Sequence, residues 1–152
     1  MRLAEALILR ADSQKRVEQL RERLTRSAKV QEGEPPPENP EDLIRELERA
    51  SNVLLDLIRK INKTNSLSQL EEAVTISDAL AERDVIMLKR GVYADLAEAA
   101  YVVQSRYSKS EVKFFSTVNV AEIQKRVDDL SRQHRELDAR IQEANWTTDL
   151  IE

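Results

Sequence analysis

The chain has 152 residues, 34% of them charged and 41% hydrophobic, with a net charge of −4 and a pI near 5.3. Lys and Arg are interspersed with Asp and Glu, so no concentrated positive face exists for nucleic acid, which is excluded as the main partner. The absence of Cys excludes disulfides, thiol catalysis and thiolate metal sites, and the single His leaves only carboxylate-rich metal sites open.

No cofactor is expected. No apolar run approaches the roughly 20 residues that span a bilayer, and Met1–Arg10 is too short and too interrupted by Glu5 for a signal peptide. Membrane association is therefore not expected and the cytoplasm is the default location. Only two glycines, Gly33 and Gly91, argue against a hairpin-rich β domain. The composition suits one helical domain over residues 1–152.

A first helix is predicted from about Arg2 to Ala28. Leu3, Leu7, Val17, Leu20 and Leu24 share a face, and Arg10, Ser13 and Gln14 fall in its middle. The segment from Val30 to Pro40 contains Gly33 and Pro35–Pro37 and must be a connection, because proline lacks the N–H and clashes with the preceding turn.

Asn39 as N-cap, Pro40 at the first position and Glu41 and Asp42 behind it start a second helix. Its seam is Leu43, Leu47, Ala50, Leu54, Leu57 and Ile61, a strict heptad pattern that needs a partner from this chain or from another copy. An end is expected near Asn62, with a second connection from Lys63 to Val74.

Thr75 and Asp78 read as a variant capping box opening a third helix that runs to about Arg106. Ile76, Leu80, Val85, Leu88, Val92, Leu96, Ala99 and Val103 form its broad apolar surface. Residues 111–118 hold Val112, Phe114, Phe115 and Val118 among Ser and Lys. They read as a short β-like arm, or as a surface loop tucked down by its two Phe side chains.

Asn119 caps a fourth helix with a second heptad seam: Val120, Ile123, Val127, Leu130, His134, Leu137, Ile141 and Ala144. A tail from Asn145 leaves this helix, with Trp146 expected over an open bundle end. The fold class is thus all-α, a bundle of four long amphipathic helices. Two strict seams in one short chain point to a homo-oligomer.

One set of polar residues stands out on otherwise apolar stretches: Arg10 and Gln14, Asn62 and Asn65, Arg83 and Asp84, and His134. A buried Arg or Asp is costly unless paired, so residues of this kind suit a network that fixes helix register. They would also suit a pocket for a small anion or nucleotide, of unknown identity, or a hydrolytic site. Carboxylate pairs at Glu71–Glu72, Asp128–Asp129 and Asp78/Glu82 read as solvated faces. No Gly-rich phosphate loop, nucleophile elbow or H-E-x-x-H is present, so no catalytic residue is assigned.

Four segments together carry a resemblance: Leu3–Leu7, Ile61–Asn65, Ala79–Asp84 and above all Arg135–Thr148. They resemble a family of small bacterial helical proteins labelled septicolysin-like, over nearly the whole chain. The resemblance implies a pore-forming cytolysin and brings no catalytic residues with it. The residues themselves point first to a non-enzymatic, self-associating helical protein.

Overall fold

The computed structural model describes residues 1–102 and 112–152. Among the described residues four helices are formed, α1 Leu3–Arg26, α2 Pro40–Leu67, α3 Ile76–Ala100 and α4 Val120–Thr147, with a small hairpin of β1 Gln69–Glu71 and β2 Val74–Thr75 between α2 and α3. The chain divides into two compact units, Met1–Ile76 with Gln142–Glu152, and Ser77–Ile141.

Local chemistry sets the helix starts. The Asn39 side chain accepts from the Glu41 N–H at 3.0 Å, and Pro40 fills the first helical position of α2. The Asn119 side chain accepts from the Glu122 N–H at 3.2 Å at the start of α4. The Glu5 carboxylate accepts from the Arg2 N–H at 2.7 Å at the start of α1. Between α1 and α2, the Glu34 N–H donates to the Gln31 carbonyl at 3.0 Å, with Gly33 at φ 83°. That turn needs a left-handed third residue, which glycine adopts without steric cost.

Two expected boundaries move. α2 continues to Leu67, and the connection after it holds the antiparallel pair β1–β2, in which Gln69 faces Thr75 and Glu71 faces Val74. Ala73 turns the corner at φ 62°. The β structure therefore lies at residues 69–75. Residues 112–118 contain no strand, and Phe114 and Phe115 are 76% and 79% exposed rather than tucked down. α3 ends at Ala100, short of the expected Arg106, and the remainder of the expected arm falls outside the described residues.

In the first unit α1 and α2 run antiparallel. Arg16 pairs with Glu46, and Arg23 at the end of α1 reaches Glu38 and Glu46 near the start of α2. The α2 seam is satisfied inside the chain: Leu43, Leu57 and Ile61 are buried, and Leu47, Ala50 and Leu54 are half-buried. On α1, Leu3, Ala6 and Leu20 are buried.

The other end of this unit is closed by the chain's last residues. The Leu3 N–H donates to the Thr148 carbonyl and the Leu150 N–H to the Met1 carbonyl, both at 2.9 Å. Arg2 donates to the Thr147 carbonyl at 2.9 Å and to Asp149 at 2.8 Å. Thr64, fully buried on α2, donates to the Lys60 carbonyl at 2.8 Å and accepts from the Ile151 N–H at 2.9 Å. α4 runs on to Thr147, so Asn145 and Trp146 belong to its last turn. Asn145 is the buried member of the two, and Trp146 is 57% exposed rather than covering a core.

In the second unit α3 and α4 also run antiparallel. Arg83 donates to Asp138 at 2.7 Å and Arg90 to Ser131 at 2.6 Å, so a step of two turns up α3 is matched by two turns back along α4. The α4 seam lies inward, with Val127, Leu130, Leu137 and Ile141 buried. His134 sits half-buried in the same seam.

Candidate functional site

α3 turns a half-polar face inward and an apolar one outward. Its inner face is Ala79, Arg83, Ile86, Arg90, Tyr93 and Ala97, stepping four, three, four, three, four. Ala79, Ile86 and Ala97 are buried. The polar members are half-buried and tied to α4. Arg83 meets Asp138, Arg90 meets Ser131, and the Arg126 guanidinium lies 5.6 Å from the centre of the Tyr93 ring. The long stems of the two arginines cover apolar surface while their heads find partners at the edge of the helix pair.

The outer face, roughly half a turn away, is Val85, Leu88, Val92 and Leu96, exposed by 53%, 69%, 62% and 37%. They are the middle of the apolar surface that the sequence pattern assigns to α3 from Ile76 to Val103; its first residue, Ile76, is buried and Leu80 is half-buried. From Val85 onward the structure turns the other face toward α4, where Asp138, Ser131 and Arg126 meet the two arginines and the tyrosine.

The outer stripe continues at its C-terminal end into a hollow of about 460 Å³. Leu96, Ala99, Tyr101 and Val102 line it together with Phe114 and Phe115. A run of exposed Val, Leu and Phe on one helix and the loop beside it exceeds the scattered apolar residues of an ordinary surface. Gly91 borders the stripe, and a Cβ built there would meet nothing within 4 Å. Among the described residues no packing therefore calls for glycine at this position.

The polar set singled out in the sequence is distributed over both units. Arg10, Gln14, Asn62 and Asn65 lie in the first, and Arg83, Asp84 and His134 in the second. Arg10 is half-buried in the α1 stripe, whereas Gln14 points to solvent. From the Arg16–Glu46 pair, Arg10 is level with Asn52 in an antiparallel hairpin, about 15 Å short of Asn62. Asn62 is exposed and Asn65 half-buried, so these four do not converge. In the second unit Arg83 is paired with Asp138, while Asp84 is exposed. Among the described residues no group of three or more His, Asp or Glu is placed to hold a metal ion, and no helix is long and apolar enough to cross a membrane.

Two ion pairs shift their partners' titration in the first unit. The hydrogen bond from Arg23 lowers the Glu38 carboxyl below its ordinary value, helped by the nearby charges of Arg23 and Arg26, and Arg23 itself is raised by Glu38. The hydrogen bond and charge of Asp56 raise Lys60, with a further contribution from Glu152. Arg23 and Glu38 join the end of α1 to the residues before α2, whereas Asp56 and Lys60 lie one turn apart within α2.

The model of a family of unknown function, DUF6847, matches residues 10–150. The chain belongs to this family. It is also similar to the crystal structure of a functionally unknown conserved protein from Corynebacterium diphtheriae, with 44% identity, a TM-score of 0.93 and 99% of each chain covered. No curated protein matches the chain.

Sequence reasoning missed Arg2, Thr64 and the residues after Thr147 as structural groups. Thr64 carried a weak signal, a β-branched hydroxyl residue one turn from the end of a helix, where it can bond back to the fourth preceding carbonyl. Nothing local announces that the hydroxyl oxygen also accepts from the Ile151 N–H, 87 positions away.

Proposed function

We propose that this family member is a non-enzymatic, self-associating helical protein, and that the outer face of α3 is the surface by which copies join. The observation that carries the reading is the exposed stripe Val85, Leu88, Val92 and Leu96 on a helix whose opposite face is already occupied. Burying a Leu or Val side chain fully is worth about 1.5–3 kcal/mol, so a stripe of this size left in water favours association. The half-buried arginines of the inner face support the same reading. They leave the most apolar side of the helix outward, the arrangement expected when that side is used by a partner.

The cytoplasm is the compartment this reading assumes, and the septicolysin-like resemblance is its competitor. Native mass by light scattering over a range of concentration tests it. An oligomer is expected, and Leu88→Asp should reduce it to monomers without loss of helical circular dichroism, since Leu88 is exposed within the subunit. A wild-type monomer at every concentration would overturn the proposal. Release of dye from phospholipid vesicles at matched concentrations would favour the pore-forming alternative; retained dye is the expected result.

A further inference from the structure

Both phenylalanines of the chain, Phe114 and Phe115, stand side by side in water, 76% and 79% exposed. Tyr101, which lines the same hollow, is 70% exposed. Only 4% of the residues are aromatic, and a chain ordinarily places these largest apolar side chains in its core. Here three gather on one ledge beside Leu96, at the C-terminal end of the outer stripe. We infer that this ledge is the centre of the joint between copies, with Phe114 and Phe115 as its anchors and the rest of the α3 stripe as its flank. The inference rests on the self-association proposed above and names the residues that dominate it.

The lining of the hollow supports this. The cores of protein interfaces are depleted in charge and enriched in aromatic residues. No charged side chain lines this hollow, although the chain is 34% charged. The hollow beside α2 differs, since Asp56, Lys60 and Glu152 help to line it.

The ledge is also held in place before a partner arrives. The Ser116 hydroxyl donates to the Val118 carbonyl at 2.6 Å and accepts from the Val118 N–H at 3.3 Å. Asn119 then caps α4. This turn fixes the backbone directly after Phe115, so less freedom is lost on association.

The area suits a second copy of the chain. At these exposures each of the three aromatics offers roughly 100–200 Å², on the scale of the 150–250 Å² that such a side chain buries. Together they supply about half of the ~800 Å² per partner of a standard interface, and the aliphatic stripe adjoins them. Val85 lies roughly 16 Å along the helix from Leu96, which places it toward the rim, where contacts contribute little.

The test compares alanine truncations by light scattering over a range of concentration. Phe114→Ala with Phe115→Ala should raise the dissociation constant at least about tenfold, and Val85→Ala less than about threefold. Helical circular dichroism should be unchanged in both, because all three side chains are exposed within the subunit. A wild-type dissociation constant in the double phenylalanine variant, with wild type itself an oligomer, would overturn the ledge as anchor and leave self-association standing.

The absence of cysteine gives a second measurement that leaves the phenylalanines intact. Thr117→Cys, beside the hollow, should react with a maleimide more slowly in the assembled protein than after dilution to the monomer. Equal rates would also overturn the inference and leave self-association standing. A monomeric native mass at all concentrations would overturn both the ledge as anchor and the reading on which it rests.

Discussion

At the scale of single residues, Thr64 and Glu38 do more than their exposed neighbours. The Thr64 hydroxyl is fully buried and satisfied on both sides, donating to Lys60 and accepting from Ile151. Thr64→Val keeps the shape, removes both bonds and leaves the Ile151 N–H without its acceptor. A loss of about 1–3 kcal/mol is expected, read as a lower urea midpoint with an unchanged slope. Glu38 is held below the ordinary glutamate value by the hydrogen bond from Arg23. A carboxyl with a lowered value in the fold stabilises fully above its unfolded value, and that contribution is lost as the pH falls through the folded one. Thermal melts should therefore separate wild type from Glu38→Gln at neutral pH, and the gap should close in acid below the carboxylate range.

At the scale of elements, the helices differ in which of their apolar residues turn inward. In α2 and α4 the heptad seams named in the sequence are the seams found inward, although α2 also leaves Ile44, Val53 and Leu55 exposed. Leu57 on α2 is 8% exposed and belongs to the α1–α2 hairpin. Leu57→Asp should then unfold the first unit, at a cost above about 3 kcal/mol, rather than dissociate an assembly of folded subunits. Circular dichroism separates it from Leu88→Asp, which should leave the helices intact. On α3 the pattern alone selects an apolar surface from Ile76 to Val103; the structure buries Ile76 and turns the stretch Val85–Leu96 outward. Arg83 and Arg90 read as interruptions when only α3 is considered. Beside Asp138 and Ser131 they become the inner contacts.

At the scale of the whole molecule, the exposed patch is apolar while the chain is 34% charged. An assembly built on that patch should resist salt, because the Debye length falls to about 3 Å at 1 M while apolar burial is not screened. Native mass is expected to hold or rise between about 0.1 M and 1 M sodium chloride. Dissociation over that range would mean that surface ion pairs, not the stripe, hold the copies together.

The amino-acid sequence alone determined the all-α class, the starts of α2 and α4, and the inward seams of both. Each depends on interactions within a few residues: a cap, a proline, a single stripe repeating every three or four positions. The extent of α2 beyond Asn62, the hairpin at residues 69–75 and the inner face of α3 were decided by tertiary structure. So was the spread of the polar set, with Arg83 bound to Asp138 and Asn62 about 15 Å from the level of Arg10. The reason is that these features depend on partners far along the chain. Thr64 finds Ile151 and Arg83 finds Asp138, and no local pattern encodes the residue that will stand opposite.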